Sequence, residues 1–381
     1  MHVHCTALHM FCTVLHVFCT VLHVFCTVLH MFCTVLHVFC TVLHVHSTAP
    51  CTLHLARAPP MYLLAGIDTE GDNQWDPAAR ANQAFENIYA LPRLHALFAR
   101  HAVRPTYVIT YPVASDPRSG GVLRELLAGG DCEIGAHHHA WETPPCTVDD
   151  IRRHPYALTL PRAQFERQLE SLTEAITRAT GERPVSYRSG RFGFSSDHVA
   201  ALERLGYLVE SSVAPLFYEA HKGGPDFVEA PLRPYFLAYD SAVRAGSSDV
   251  LEVPVSASLD RHWPKTLQYA YARVPRPYTT KRVLRALRLA RMRWLRPSYS
   301  SLEDMKALGR DLMNSGEPVL NLLFHSSEAI VGGSPYNRTA GELDAFFDRL
   351  EKFLVYATQD LAAVPVTFAE FRRHYCRTSV C

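Results

Sequence analysis

The N-terminal part of the chain has no acidic side chain and almost no basic one: the first lysine, arginine, aspartate or glutamate is Arg57. A coiled coil places charged residues beside its apolar seam, so a period of seven does not by itself indicate one here. The roughly 20 successive apolar residues that a membrane-spanning helix needs are missing, because a histidine interrupts the pattern at every seventh position. The segment also lacks the basic start and the small-residue cleavage site of a secretory signal peptide.

What this segment does contain is a repeat. Residues Leu8–Val42 are five copies of L-H-[MV]-F-C-T-V, and an imperfect copy follows at Leu43–Ala49. Seven of the eleven cysteines and ten of the 21 histidines lie here, but one of each per unit is not the ligand spacing of a folded metal site. We interpret residues 1–60 as a low-complexity heptapeptide repeat that is disordered or that precedes a true start at Met61.

Beyond residue 60 neither charge nor cysteine is in excess. The remaining 321 residues carry 37 basic and 37 acidic side chains, which argues against a general nucleic-acid-binding protein. Four cysteines remain, without C-x-x-C spacing, so a disulfide framework is not indicated. They are Cys132, Cys146, Cys376 and Cys381. No targeting or transmembrane segment follows Met61, and we expect a cytoplasmic protein.

Short apolar runs alternate with helical patterns along residues 61–381. The predicted strands are 62–68, 105–113, 132–138, 185–190, 207–213, 250–257 and 318–327. The predicted helices are 82–101, 121–130, 163–180, 197–206 and 341–358, and residues 362–371 carry strand and turn signals. This alternation predicts an α/β fold with a parallel sheet or barrel. In such folds the polar residues at the C-terminal ends of the strands carry the chemistry.

One stretch departs from the alternation. Residues 261–302 contain no aspartate or glutamate, and residues 281–296 carry seven basic side chains on a helical pattern. The pattern favours a solvated basic helix packed by its leucines. The alternative is contact with an anionic glycan or a lipid-linked phosphate.

Polar clusters follow several of the predicted strands. Along a strand, alternate residues share a face, so His137 and His139 can hold a metal together while His138 points away. Asp68 and Glu70 share a side in the same way, so one can bind metal while the other acts as a base. The remaining clusters are Y-R-S-G-R-F-G at 187–193, E-S-S-V-A-P at 210–215 and F-H-S-S-E at 324–328.

These motifs and their order resemble the polysaccharide deacetylases with NodB-like homology, from Met61 to about Arg372. The motifs are I-D-T-E-G-D, E-I-G-A-H-H-H-A-W-E-T-P-P, Y-R-S-G-R-F-G, V-E-S-S-V-A-P and L-L-F-H-S-S-E-A-I-V-G-G-S-P. Their H-x-H-x-W-x-T-P-P and H-S-S-E forms are most similar to a branch that includes WalW-type proteins. The resemblance implies a distorted (β/α)7 barrel over residues 61–381, with the basic segment at about 261–302 as an insertion.

The resemblance also implies catalytic roles for four side chains. Asp68 matches the general base, and Arg188 matches the arginine that orients it. His325 matches the general acid that protonates the leaving amine. Glu210 stands where the family has the aspartate that tunes that histidine. The backbone N–H of Phe192 would face the oxyanion.

The metal ligands implied by the resemblance depart from the usual family pattern. His137 matches the first of two histidines that are four residues apart in the family, but Trp141 occupies the second place, so His139 is the expected substitute. Thr69 replaces the usual adjacent acid, which leaves Glu70 or Asp72 to bind the metal. We prefer Glu70. This N/O ligand set favours Zn²⁺, with Co²⁺, Ni²⁺ or Mn²⁺ as alternatives.

The function implied is metal-dependent removal of N-acetyl groups from a sugar or polysaccharide precursor, which could be anionic or lipid-linked. Two alternatives stay open. The site could hydrolyse another non-peptide C–N bond, such as a linear amide or a formyl group. The chain could also be a glycan-binding protein that kept the barrel and lost turnover.

Overall fold

The computed structural model describes residues 60–147, 150–274, 283, 284, 286 and 290–378. Residues 1–59 of the predicted repeat, and residues 281, 282, 285 and 287–289 of the predicted basic helix 281–296, lie outside the described residues. Within that predicted helix, Met292–Trp294 forms a strand. Everything below concerns the described part of the unit Pro59–Cys381.

Seven strands pair in parallel, in the order β11-β1-β2-β3-β4-β5-β8. They are β1 (Tyr62–Thr69), β2 (Thr106–Ile109), β3 (Glu133–His138), β4 (Ser186–Ser189), β5 (Val209–Glu210), β8 (Leu251–Glu252) and β11 (Val319–His325). All eight residues of β1 are buried, which explains its almost continuous apolar sequence. The predicted parallel α/β barrel is confirmed in a distorted form.

In the described residues, five further strands lie outside this parallel set. They are β6 (Tyr235–Ala238), β7 (Ser241–Ala245), β9 (Ala257–Leu259), β10 (Met292–Trp294) and β12 (Val364–Pro365). Strands β6 and β7 extend the sheet antiparallel beyond β8, and β9 pairs antiparallel with β10. Strand β12 pairs with the start of β1.

The barrel is distorted where its two ends meet. Among the described residues no ladder joins β8 to β11. Instead, the Asn321 side chain donates to the carbonyl oxygens of Val253 at 3.0 Å and Pro254 at 3.2 Å. Leu295 bridges the same gap, since its N–H donates to Ser256 O at 3.0 Å and its C=O accepts from Leu323 N at 2.9 Å. We call this join the seam. Because of these hydrogen bonds, Arg296, the residue after Leu295, lies beside the end of β11.

Helices surround the sheet. They are α1 (Pro77–Ala81), α2 (Glu86–Tyr89), α3 (Leu91–Arg100), α4 (Tyr111–Ser115), α5 (Pro117–Ala128), α6 (Asp150–Arg153), α7 (Arg162–Thr180), α8 (Val199–Arg204), α9 (Lys265–Arg273), α10 (Leu302–Asn314), α11 (Ala340–Val355) and α12 (Phe368–Thr378). Short 3₁₀ turns include Gly190–Phe192 and Ser326–Ala329, which follow β4 and β11. None of the helices in the described part of the chain is long and apolar enough to cross a membrane.

Three predicted elements were wrong in detail. The predicted strand 105–113 ends at Ile109, and helix α4 follows because Pro112 lies at its N-terminal turn, where its missing N–H costs nothing. The predicted helix 82–101 is divided into α2 and α3. Residues 362–371 form only a two-residue strand before α12 begins at Phe368.

Candidate active site

The C-terminal ends of neighbouring strands bring the predicted polar residues together. Asp68 is the penultimate residue of β1 and lies opposite His325 of β11 in the parallel register. His137 is the penultimate residue of β3 and lies opposite Arg188 of β4. All four side chains therefore meet at the same rim of the barrel.

The outer two histidines of the H-H-H run converge on one carboxylate. The distance from Glu70 Oε1 is 2.9 Å to His137 Nε2 and 3.3 Å to His139 Nε2. All three side chains are almost fully buried. Burial by itself would raise the pKa of Glu70, but His139 and His137 lower it well below its ordinary value. Burial lowers the pKa of His139 to about 4, so this imidazole is neutral at pH 7 and has a lone pair to offer a metal.

The middle histidine points to the other face. His138 Nε2 contacts Gln168 Oε1 at 2.8 Å, and its ring lies against Phe165. Burial lowers the pKa of His138 to about 3. His138 is therefore a neutral core residue.

Asp68 is held by a buried arginine. Arg188 Nη1 donates to Asp68 Oδ1 at 2.7 Å and to Gly66 O at 3.0 Å, and Arg188 Nε donates to Ser211 O at 2.7 Å. Burial would raise the pKa of Asp68, but Arg188 and then His137 lower it overall. Asp68 is thus an oriented carboxylate at neutral pH, with its second oxygen free to face the site.

His325 lies on the opposite side of this carboxylate. Its Nε2 is 3.8 Å from Asp68 Oδ2 and 3.6 Å from Glu70 Oε1. Its Nδ1 is 2.9 Å from Glu328 Oε1. A carboxylate only accepts, so Nδ1 carries the proton and Nε2 faces the site.

The partner of His325 differs from the prediction. Glu210 was expected to tune this histidine, but its carboxylate bonds Ser212 and Glu252 inside the barrel, and Glu328 occupies the position beside Nδ1. Burial raises the pKa of Glu210, and burial with the neighbouring Glu210 raises that of Glu252 well above its ordinary value. The H-S-S-E sequence could have revealed the pair, because the 3₁₀ turn at its start places residues three apart side by side.

Arg296 completes the His325 side of the site and was missed in the sequence. Its Nη2 lies 2.6 Å from Glu328 Oε1 and 3.1 Å from His325 Nδ1. Burial would raise the pKa of Glu328, but Arg296 and His325 lower it to about 2. The seam explains the miss: Arg296 follows Leu295 and so reaches β11 from the segment that appeared to be a basic helix.

Asp72 lies outside the cluster. Its carboxylate accepts hydrogen bonds from the backbone N–H groups of Glu86 and Asn87, both at 3.0 Å, and from the Asn87 side chain. It therefore satisfies the start of α2, where unpaired N–H groups favour a carboxylate. Of the two acids considered for the metal, only Glu70 faces the histidines.

Two glycines leave room for these side chains. A Cβ on Gly190 would overlap the ring of His139, and one on Gly66 would collide with the guanidinium of Arg188. Arg191 and Phe192 after Gly190 have left-handed φ angles of 54° and 58°. The S-G-R-F-G sequence thus forms a tight turn against the ring of His139.

A cavity of about 300 Å³ opens above the cluster. Trp75 stands beside His325 with their ring centroids 4.8 Å apart, and Tyr336 packs on Trp75 at 5.5 Å. The lining residues are Asp68, Glu70, Gln74, Trp75, Arg80, His139, Trp141, Ser189, Arg191, Phe192, Arg296 and His325. Acidic, basic and aromatic groups face one space, which suits a polar ligand with an apolar ring face.

The donor set of Glu70, His137 and His139 fits a divalent metal. Their ligand atoms lie within 4.8 Å of one another, and ligand atoms around a tetrahedral ion at about 2.1 Å lie roughly 3.4 Å apart. Both ring nitrogens of His139 and Nδ1 of His137 are buried without a hydrogen-bond partner. Buried polar atoms normally have one, and an ion between these residues would satisfy His139.

Comparison with known proteins finds a similarity to one family. Residues 81–209 match the sequence model of the polysaccharide deacetylase family. The match supports that family. It includes His137, His139 and Arg188, whereas Asp68, Glu70 and His325 lie outside it and join the site through the fold. A search of curated proteins returned no match.

Solved structures share the fold at low identity. A Parabacteroides distasonis protein assigned as a glycoside hydrolase/deacetylase is 13% identical, with a TM-score of 0.57 over 85% of this chain and 73% of its own. A Mycobacterium smegmatis protein assigned as a polysaccharide deacetylase is 16% identical, with a TM-score of 0.47 over 83% and 93%. A Pseudomonas aeruginosa protein with the same assignment is 16% identical, with a TM-score of 0.48 over 86% and 94%. The first of these shows a common fold.

Proposed function

We propose that this protein is a metal-dependent hydrolase that removes N-acetyl groups from a sugar or a polysaccharide precursor. One arrangement carries the proposal. Asp68, which is bonded to Arg188, faces His325, which is bonded to Glu328, and both lie beside the buried cluster of Glu70, His137 and His139. Amide hydrolysis needs these parts, namely a base for the attacking water, an electrophilic aid for the carbonyl and an acid for the leaving nitrogen.

Glu70, His137 and His139 would hold the metal, and we propose Zn²⁺. A bound divalent cation supplies a water of lowered pKa and polarises a carbonyl oxygen. The His139 ring is also packed from outside the metal position, since its centroid lies 4.2 Å from that of the Trp141 ring. The free Oδ2 of Asp68 faces the same space.

We assign Asp68 as the general base. Arg188 fixes one of its oxygens and keeps it ionised, so the other can accept the proton of the attacking water. Arg188 itself is fully buried and anchored to Gly66 O and Ser211 O, so it orients Asp68 without touching the cavity. It is a positioning residue.

We assign His325 as the general acid. The Glu328 carboxylate accepts the hydrogen bond of Nδ1–H, and Nε2 is directed at the cavity, 3.8 Å from Asp68 Oδ2. The acid role requires a proton on Nε2 as well, and the ionised Glu328 would offset the charge of the ring. Asp68 would take one proton of the water as its oxygen adds to the carbonyl carbon, Nε2 would give its proton to the nitrogen as the C–N bond breaks, and the acetic acid formed would leave as acetate and a proton. The backbone N–H of Phe192 stays our proposal for the oxyanion contact.

The narrower assignments have their own support. The W-x-T-P-P and H-S-S-E sequences support the WalW-type branch. Cys132 and Cys376 are free thiols, which suits the reducing cytoplasm. The basic side chains of 261–302 support an anionic or lipid-linked substrate, although most of residues 281–289 lie outside the described residues.

The test uses the full chain, purified without a polyhistidine tag. We expect close to one equivalent of zinc by elemental mass spectrometry, and acetate release from N-acetyl sugars that stops on chelation and returns with Zn²⁺. The double variant His137→Ala, His139→Ala should lose the metal, whereas His262→Ala, which removes an exposed histidine, should keep it.

Three outcomes would overturn parts of the proposal. Retention of the metal in the double variant would remove the ligand assignment. Turnover of linear amides in preference to N-acetyl sugars would move the activity to another C–N bond, and glycan binding without any product would indicate a non-catalytic protein.

A further inference from the structure

Three arginine side chains line the cavity, and they differ in whether a carboxylate pairs with them. Of its three arginines, Arg296 is paired with Glu328 at 2.6 Å. Arg80 and Arg191 have no carboxylate oxygen within 4.0 Å among the described residues. Two positive charges at the wall of the site are therefore left without a counter-ion.

Arg80 is half-buried and under-bonded. Its Nη1 donates to Gln74 O at 2.8 Å, but its Nε is buried and has no partner. The carboxyl group that acts on it is Glu142, which is bonded by Gln83 at 3.0 Å. Among the described residues no oxygen of Glu142 lies within 4.0 Å of the Arg80 guanidinium nitrogens, so these two side chains do not form an ion pair.

Arg191 lines the same cavity. Its backbone has the left-handed φ angle of 54° in the turn after Gly190, and its guanidinium lies over the Trp141 ring at 4.5 Å. Its Nη1 donates a hydrogen bond to Pro155 O at 3.3 Å. Burial and the charge of Arg80 both lower the pKa of Arg191. The two guanidinium groups therefore repel each other across the space between them.

We propose that Arg80 and Arg191 form a subsite for an oxyanion that the substrate carries near its acetamido group. This rests on the proposed function, and it names the substrate class as an anionic N-acetyl sugar. An oxyanion in the cavity would accept hydrogen bonds from the guanidinium groups of Arg80 and Arg191 and offset their two positive charges. Guanidinium groups bind carboxylate and phosphate through paired N–H donors.

A neutral sugar would leave the charges of Arg80 and Arg191 without a counter-ion. A hydroxyl group can accept hydrogen bonds, but it is neutral and does not offset the two positive charges. The subsite therefore discriminates between substrates that differ only in charge. Carboxylate and phosphate share this chemistry, so the experiment separates them.

The experiment measures kcat/KM of the zinc-loaded full chain for three sugars: N-acetylglucosamine, its 6-phosphate and N-acetylmuramic acid, which carries a carboxylate. We expect kcat/KM to be at least tenfold higher for one of the two anionic sugars than for the neutral one. In Arg80→Gln and Arg191→Gln that ratio should fall about tenfold. Arg244→Gln, which removes an exposed arginine on β7, should leave the ratio unchanged.

A binding measurement keeps the test independent of turnover. Inorganic phosphate titrated into the full chain should quench tryptophan fluorescence through Trp141, and the dissociation constant should rise about tenfold in each variant, while circular dichroism checks their folding. Equal kcat/KM for all three sugars, together with phosphate binding unaffected by either substitution, would overturn the subsite. Phosphate binding that depends on both arginines without acetate release from any sugar would support the subsite and reject the deacetylase.

Discussion

Replacing Glu328 by glutamine would remove the charge that joins Arg296 to His325. The Glu328 side chain has no exposed area, and that of Arg296 is 10% exposed. A carboxyl pKa of about 2 against the ordinary 4.5 corresponds to about 3 kcal/mol of stabilisation at neutral pH. Removing one partner of a buried ion pair commonly costs about 3–5 kcal/mol, because the other charge stays buried. The pKa shift and the usual cost of breaking a buried ion pair therefore give similar losses in free energy of unfolding.

The sign of the pH dependence follows from the lowered pKa. The Glu328 carboxylate contributes fully above its ordinary pKa of 4.5, and the contribution is lost as pH falls towards its folded pKa of about 2. Wild type and Glu328→Gln should therefore differ by about 3 kcal/mol in free energy of unfolding at pH 7 and by roughly 1 kcal/mol at pH 3.

Urea unfolding followed by circular dichroism at both pH values measures this difference. Glu174→Gln is the matched control, because it breaks an exposed pair with Arg178, where an effect of about 0.5 kcal/mol or less is expected. The same Glu328 variant should lose about a hundredfold in kcat, since the proton donor is no longer oriented. A stability difference that is absent at pH 7, or that does not shrink at pH 3, would refute the reasoning.

Two further substitutions test the rest of the site. Asp68→Asn should lower kcat by about 10²–10⁴-fold while zinc content by mass spectrometry stays unchanged; loss of zinc would make Asp68 a ligand instead of the base. Gly190→Ala should lower the midpoint of thermal unfolding, at a cost of about 1–3 kcal/mol, because its Cβ would overlap the His139 ring. Gly341→Ala near the start of α11, where a Cβ meets no atom within 4 Å, should be neutral or slightly stabilising. Equal effects of the two glycine substitutions would contradict the packing argument.

The parts that the sequence predicts well are those that depend on local pattern. Strand β1 is apolar because both of its faces are buried, and period-two alternation separates His138 from His137 and His139. These features need only the geometry of one strand. The order of strand ends then follows from the parallel sheet.

The parts that were missed depend on long-range joins. Glu210 lies within one predicted strand (207–213) and Glu328 follows another (318–327), and only the fold shows which carboxylate turns towards His325. Arg296 lies 29 residues before His325 in the chain, in a segment whose charges favoured a solvated helix. No local pattern records that Leu295 is hydrogen-bonded between Ser256 and Leu323.

The seam also separates the chain between Leu259 and Met292 from the parallel strands. The chain leaves the barrel at Leu259 and returns at Met292, and these two residues are paired across β9 and β10. The excursion between them therefore starts and ends at one place, and doubling its length would cost only about 0.6 kcal/mol in closure entropy. We therefore expect changes of length between residues 260 and 291 to leave Leu295 and Arg296 in position, provided that the buried side chains Tyr271, Ala272 and Ala290 are kept. A recognition segment of different length could then be inserted close to His325 without altering the parallel strands.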